Sequence, residues 1–285
     1  MPGCQIRHFT FIMIKRPALR YYGGKWKLAK WIILHMPPHE HYIEPCFGAG
    51  SVLLQKEPAK LETVNDLNGR IVNYFRMLRD RPEELIRLIE LTPWARDEYN
   101  LSKIECENEL EDARRFHILC WMSINGGPNP TGFRTGNFIK GRGTPAPSDL
   151  INHSLKEVAN RLKTVQILND NALDMIDRYV PYDDYLIYFD PPYIKETRSQ
   201  KTGYANFEVE NSFHVEMAEK LIPLTGLVIV SGYQCNLYKE LYEQNGFSRV
   251  DSLATTNGGQ TKTESLWLSP LVQERLSLPE QGTLL

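Results

Sequence analysis

The stretch Tyr185-Leu186-Ile187-Tyr188-Phe189-Asp190-Pro191-Pro192-Tyr193 decides how this chain is read. A short apolar run closed by two prolines reads as a buried strand that feeds a loop. In open α/β sheets, ligands bind at the carboxyl ends of strands. That end carries here a carboxylate, a prolyl carbonyl and an aromatic ring. Asp190 and the Pro191 carbonyl can each accept one hydrogen of an exocyclic amine, and Tyr193 can stack on a flat ring. Taken alone, the tetrapeptide also fits an ordinary strand end with a proline turn.

The surrounding pattern makes it part of an alternating α/β chain. His41-Tyr42-Ile43-Glu44 predicts a strand, and Pro45-Cys46-Phe47-Gly48-Ala49-Gly50 a tight loop, with a helix from Ser51 to Lys56. Glu62 to Asp66 predicts a second strand. Helical spacing follows over Arg70–Leu78 and Glu83–Leu91. From residue 92 to about 160 the alternation breaks. Helical pieces around Arg96–Ile104 and Leu110–Ile124 lead into Asn125-Gly126-Gly127 and a polar, basic, glycine-rich stretch to Pro147. The rhythm returns with strands at Val165–Leu168, Tyr185–Phe189 and Leu227–Ser231. Between them lie a helical turn at Ala172–Ile176 and a helix face of Phe213, Met217 and Leu221. A helix near Asn236–Gln244 and a closing hairpin over Phe247–Leu253 and Glu264–Leu268 end the series. The fold class is therefore α/β, a doubly wound and mostly parallel sheet with one mainly helical insertion.

Composition excludes several classes. With 285 residues, 42% hydrophobic and 24% charged, the chain is long enough for one or two ordinary globular domains. A formal net charge of −2 leaves any nucleic-acid site to a local basic patch. The five cysteines are scattered and form no Cys-x-x-Cys pair. They predict neither a disulfide framework nor a zinc site, and suit a reducing cytoplasm. No stretch is long enough to span a membrane. Met13-Ile14-Lys15-Arg16-Pro17 reads as a start, which makes residues 1–12 an extension outside the core. The domain reading is 13–91 and 161–270 for the main domain, 92–160 for the insert and 271–285 for a tail.

Further residues point to a second pocket beside Asp190. Glycines in Gly48-Ala49-Gly50 let a backbone turn approach a ligand, although G-x-G also fits a plain strand–helix turn and lacks the third glycine of the dinucleotide fingerprint. Asp66, some twenty residues on, suits a ribose diol, yet Asp66 or Asn68 also suits a helix cap. Lys25, after Gly23-Gly24, can meet a carboxylate or lie in solvent. His117, on an apolar face, reads as packed. The set describes a nucleoside-like ligand without a phosphate cradle, next to a base pocket.

In order along the chain stand Arg20-Tyr21-Tyr22-Gly23-Gly24-Lys25, Glu44-Pro45-Cys46-Phe47-Gly48-Ala49-Gly50, Asn65-Asp66-Leu67-Asn68, Asp190-Pro191-Pro192-Tyr193, Leu227 to Tyr233, and Glu264-Ser265-Leu266-Trp267-Leu268. In this order they resemble the S-adenosylmethionine-dependent DNA adenine N6-methyltransferases, the group that includes the GATC-methylating enzymes. The resemblance spans about Lys15 to Pro270. It implies a Rossmann-like methyltransferase domain, a target-recognition role for the insert, and transfer of a methyl group from S-adenosylmethionine to adenine N6 in double-stranded DNA, with base flipping. It implies cofactor contacts from Tyr21, Lys25, Glu44, Phe47, Gly48, Gly50 and Asp66, with Asp190 between cofactor and base. Asp190, Pro191, Pro192 and Tyr193 are the implied catalytic set, and no metal is needed.

Where relatives have an acid and then a small or aromatic residue near the cofactor adenine, this chain has Asn169-Asp170-Asn171-Ala172. Asp170 or Asn171 makes that contact. Arg134, Lys140 and Arg142 in the insert, and Arg114 on the preceding helix, are the basic residues expected to meet DNA. A monomer is expected, with a restriction enzyme as a partner such an enzyme could have. RNA adenine methylation and a catalytically silent nucleic-acid-binding module are the competing readings.

Overall fold

In this computed structural model, the described residues are 14–127, 132–135, 154–179, 184–198, 207–255 and 261–278. Along them run α1 (Ala29–Ile33), β1 (His41–Glu44), β2 (Leu61–Asn65), α2 (Gly69–Asp80), α3 (Pro82–Glu90), α4 (Arg96–Leu101) and α5 (Glu109–Met122). Then follow α6 (Leu155–Leu162), β3 (Val165–Leu168), α7 (Ala172–Tyr179), β4 (Tyr185–Phe189), α8 (Asn211–Leu221) and β5 (Leu227–Gly232). The last are α9 (Asn236–Leu241), β6 (Ser248–Thr255), β7 (Thr261–Leu268) and α10 (Pro270–Ser277).

The strand of the decisive stretch, β4, is buried at every position. Its side chains alternate between the two faces, as a period of two requires. Leu186 and Tyr188 enter one core with α1 to α6, while Tyr185, Ile187 and Phe189 enter the other with α7, α8 and α9. Helices on both faces explain why the strand reads as a continuous apolar run. The seven strands are ordered β3-β2-β1-β4-β5-β7-β6. β1 to β5 are parallel neighbours, while β7 pairs antiparallel with β5 and β6 antiparallel with β7. The direction of winding reverses between β1 and β4, so the crevice at their carboxyl ends is the switch point where such sheets bind ligands.

Several expectations need correction. Ser51–Lys56 forms consecutive turns and not a helix, with Leu54 N–H donating to Gly50 and Lys56 N–H to Val52. The helix after β3 runs to Tyr179, beyond the single turn expected. The insert boundary at residue 160 cuts through α6, whose Leu155, Val158 and Leu162 are buried in the main core. Arg161 of α6 also donates to Glu62 Oε1 of β2 at 2.7 Å, and Lys56 joins the same oxygen at 2.8 Å. The expected tail starts with α10, which buries Val272. Residues 1–12 and Glu280 to Leu285 lie outside the described residues.

The first helices of the insert are equally part of the core. α5 is buried without interruption from Asp112 to Met122 except at Arg115. Arg70 of α2 binds Asp112 at 3.0 Å, tying the two helices. His117 is packed as expected, with Nδ1 3.1 Å from the Tyr74 hydroxyl. Beyond α5, Gly127 bridges to Tyr21: Gly127 N–H donates to Arg20 O at 3.0 Å and Tyr22 N–H to Gly127 O at 2.7 Å. Gly126 has φ +83°, and a Cβ there would meet Arg20 O at 2.6 Å. The segment after α5 is thereby clamped to the segment that carries Lys25.

Candidate active site

One pocket gathers the ends of β1, β2 and β4, the start of α7 and the turn before α1. Of the implied cofactor residues, Tyr21, Lys25, Glu44, Phe47, Gly48, Asp66, Asn171 and Asp190 line it.

The glycine loop is shaped by its φ angles. Gly48 stands at +51° and Gly50 at +69°, a region that L side chains avoid. A Cβ on Gly50 would lie 2.5 Å from the Phe47 ring. Gly50 therefore acts behind the wall, allowing Phe47 to pack edge-on against Phe75 at 4.8 Å. Asp66 closes the loop: its carboxylate accepts from Gly48 N–H and Asn68 N–H, both at 2.8 Å. The cap of α2 is Asn68, whose side chain accepts from Arg70 N–H at 3.0 Å. Asp66 is thus freed from the capping role. Burial lifts its carboxyl to about 6, against the lowering effect of the two N–H groups.

Asp170 and Asn171 separate clearly. The Asp170 carboxylate turns away to Arg178 at 2.7 Å, both side chains well exposed. It does not line the pocket, which corrects its assignment as a cofactor contact. Asn171 lines the pocket and caps α7 by accepting from Leu173 N–H at 2.9 Å. The sequence carried no signal for the cause, which is Asn65. Its buried amide donates to Pro45 O and Asp170 O and accepts from Asp170 N–H at 2.7 Å. Asn65 thus stitches together the ends of β1, β2 and β3.

At the catalytic tetrapeptide, Asp190 Oδ1 accepts from Ser231 Oγ at 2.5 Å and Oδ2 from Lys25 Nζ at 2.8 Å. Lys25 also donates to Gly23 O at 3.0 Å and is 6% exposed. A buried ammonium needs a counter-charge, and here Asp190 supplies it. Burial pulls the Lys25 ammonium down, but Asp190 and then Glu264 outweigh it and hold it above its usual value. The expected free lysine, ready for a ligand carboxylate, is therefore a paired one.

Tyr193 also differs from expectation. It is 4% exposed and not on the pocket wall, so its ring is not offered as a stacking surface. The Lys25 ammonium lies 4.5 Å from its ring centroid, and Tyr233 packs edge-on at 4.7 Å. Its hydroxyl donates to Glu264 Oε2 at 2.8 Å. Of the two prolines, Pro192 lines the pocket and Pro191 does not. Sequence reasoning also missed Tyr22, beside Tyr21 in the first motif, and Ser231, Glu264, Phe207 and Phe213, which come from segments remote in the chain.

The electrostatics of the pocket are one-sided. Among its described lining residues, Glu44, Asp66 and Asp190 face a single ammonium, Lys25. Burial lifts the Glu44 carboxyl well above its usual range, against a hydrogen bond from Tyr42. The Cys46 thiol is pushed well up by burial and then by Asp66, Asp190 and Glu44. Such a pocket suits a ligand that brings positive charge.

Among the basic residues expected at DNA, Arg114 needs correction. Its guanidinium binds Glu98 and Glu111, each at 2.8 Å, and donates to Thr92 at 3.0 Å. It joins α4 to α5 in a buried position, which leaves no free fork for a phosphate. Arg134 lies with its guanidinium 4.7 Å from the Trp94 ring centroid, and its carbonyl accepts from Trp94 Nε1 at 3.0 Å. Lys140 and Arg142 lie outside the described residues. No group of residues suited to a metal ion occurs among the described residues. No helix among them is long and apolar enough to cross a membrane.

A model of the family D12 class N6 adenine-specific DNA methyltransferase matches residues 21–256. The chain is 27% identical to the type II methyltransferase M1.LlaDCHI of Lactococcus lactis subsp. cremoris, over 87% of this chain and 91% of the relative. It is 25% identical to a DNA adenine methylase of Vibrio cholerae serotype O1, over 88% and 95%. With the DNA adenine methylase of Escherichia coli K12 it shares 24% identity over 87% and 92%.

Proposed function

This chain belongs to the D12 class of N6 adenine-specific DNA methyltransferases, and we propose that its pocket takes S-adenosylmethionine while Asp190 receives the target adenine. Its activity is methylation of adenine in DNA. The observation that carries the cofactor reading is the charge of the pocket, with three carboxylates against one paired ammonium. S-adenosylmethionine, when bound, supplies a methyl group made electrophilic by a positively charged sulfur. The residues present fit that group. Asp66 would hold ribose hydroxyls, Asn171 would offer a polar partner to the purine edge, and Tyr21 and Phe47 would supply apolar surface.

Adenine N6 is a poor nucleophile, because its lone pair is delocalised into the ring. Asp190 and the Pro191 carbonyl accept the two amine hydrogens and favour a pyramidal nitrogen with an available lone pair. Both Asp190 oxygens already have donors, but each keeps a second lone pair. The amine proton becomes acidic only as the methyl arrives, so Asp190 acts mainly by positioning and electrostatics. The adenine leaves the duplex stack for this site at a cost of about a few kcal/mol. In this reading the catalytic domain is residues 13–91 together with α6 and the chain after it to residue 270. The insert before α6 is the target-recognition part, and Arg134, Lys140 and Arg142 in it are its candidates for DNA contact. The enzyme acts as a monomer in the cytoplasm, and a restriction enzyme is the partner a modification enzyme would have.

Two measurements test the reading. Calorimetric titration with S-adenosylmethionine should give one site. Labelled methyl should then appear as N6-methyladenine in unmethylated plasmid DNA and not in RNA of the same sequence. Equal transfer to RNA would replace the DNA assignment. Binding of DNA without any transfer would leave a silent binding module.

A further inference from the structure

Lys25 is buried and paired with Asp190, yet Asp190 is the group needed by the incoming amine. A buried charge that loses its partner is strongly unfavourable, so a second counter-charge has to stand nearby. Glu264 on β7 is that group. It is 8% exposed and absent from the pocket wall, so it touches neither cofactor nor base directly. Its Oε2 accepts the Tyr193 hydroxyl at 2.8 Å, and the Tyr233 hydroxyl also bonds to it. The Lys25 ammonium rests on the same Tyr193 ring, 4.5 Å from its centroid. Tyr193 thus touches the ammonium with its ring and the Glu264 carboxylate with its hydroxyl. Lys262, two residues before Glu264, lies 4.7 Å from the Tyr233 ring centroid.

We infer that Glu264 is a positioning residue of the methyl-transfer site: it fixes Tyr193 through its hydroxyl and is the alternative counter-ion of Lys25, which frees Asp190 for the adenine amine. Burial lifts the Glu264 carboxyl above its usual value, against the lowering effect of the Lys25 ammonium and of the Tyr193 hydroxyl, while Asp190 opposes its charge. Lys25 is in turn held charged by Asp190 and then by Glu264. The ammonium, bonded to Asp190 and held by the nearby charge of Glu264, can shift toward Glu264 as the amine hydrogen arrives at Asp190. Ser231 completes the arrangement from β5. Its hydroxyl donates to Asp190 Oδ1, and Tyr188 donates to it at 3.3 Å, so the carboxylate keeps its orientation while Lys25 shifts.

The inference rests on the reading of Asp190 as the amine acceptor. The test uses the full chain, unmethylated plasmid DNA and labelled S-adenosylmethionine in single-turnover methyl transfer. Glu264→Gln keeps an acceptor for Tyr193 and removes the charge. Its rate should fall at least about ten-fold, a change of about 1.4 kcal/mol in the barrier, with cofactor affinity by calorimetry changed less than about three-fold. In a Lys25→Met background the same substitution should cause no further loss, because the charge acts through Lys25. Tyr193→Phe removes only the hydroxyl and should be slowed less than Glu264→Ala. It also serves as the test if Glu264→Gln melts early. Wild-type rates in Glu264→Gln would overturn the inference. So would an equal loss in both Lys25 backgrounds, which marks a packing role, or a Tyr193→Phe variant as slow as Glu264→Ala. Turnover by Asp190→Ala is a separate outcome, and it would remove the underlying reading instead.

Discussion

The two halves of the pocket hold their carboxylates in different ways. Asp66 is held by the main chain, through the N–H groups of Gly48 and Asn68. Asp190 is held by side chains, through Lys25 and Ser231. A main-chain cradle has one geometry, set by the φ angles of Gly48 and the register of β1 and β2. A side-chain cage can exchange partners without moving the sheet. The first arrangement suits a ligand that binds the same way in every cycle. The second suits a group that must accept a substrate, release it and return to its resting pair.

The sharpest way to break this comparison is Asp190→Ala. Methyl transfer should fall by about 10³-fold or more, as for loss of a group aimed at the reacting atoms, while cofactor affinity falls far less. Single-turnover rates and calorimetry together check it, and near-normal turnover would end the division of labour. Next is Arg161→Met, which attacks the strand that carries Asp66. It leaves Glu62 with Lys56 alone and should lower stability by about 3 kcal/mol in denaturant titration. An unchanged midpoint would mean that β2 needs no anchor from α6.

Asp66→Ala should weaken cofactor binding by about 1.5–3 kcal/mol, the value of a charge-assisted hydrogen bond, and leave the single-turnover rate at saturating cofactor close to wild type. A rate loss at saturation would merge the two halves. The same carboxylate gives a pH signature. Its folded-state value of about 6 lies above the ordinary 3.8, so the folded chain binds the extra proton between these limits. Stability from this group is present at low pH and is lost as pH rises through about 6. Asp66→Asn should remove that loss, so the wild-type deficit should grow by about 2 kcal/mol between pH 4.5 and 7. A flat difference would show a carboxylate already at ease in its cradle.

The smallest effect contrasts Arg134 with Arg114. Arg134→Ala should reduce the salt slope of DNA binding by about one unit for each phosphate that the arginine neutralises. Arg114→Ala should leave the slope alone and lower the melting temperature, since its partners are Glu98, Glu111 and Thr92. The reverse result would return Arg114 to the DNA face.

Much of this was legible in one dimension because local patterns are governed by local physics. The apolar run Tyr185–Phe189 has one length and one flank, and it became β4 with the same bounds. The strands at His41–Glu44 and Val165–Leu168 also matched. The Ser51–Lys56 helix failed because two positive-φ glycines in a tight loop consume the turns that would have nucleated it. α6 was hidden by its place beside a polar stretch, where the apolar spacing of Leu155, Val158 and Leu162 is short. Asp170 and Asn171 could not be told apart, since the choice depends on Asn65, over a hundred positions away.

By itself the sequence determined the alternating α/β order, the pocket-forming turns and the chemical types at the strand ends. These follow from periodicity and from the backbone demands of glycine and proline. Tertiary structure alone decided which charged groups meet. Lys25 is 165 positions from Asp190, and Glu264 is 71 from Tyr193. No local preference encodes such pairs. They form because the sheet brings the end of β4, the antiparallel strand β7 and the turn before α1 to one crevice, where burial makes each charge need a partner.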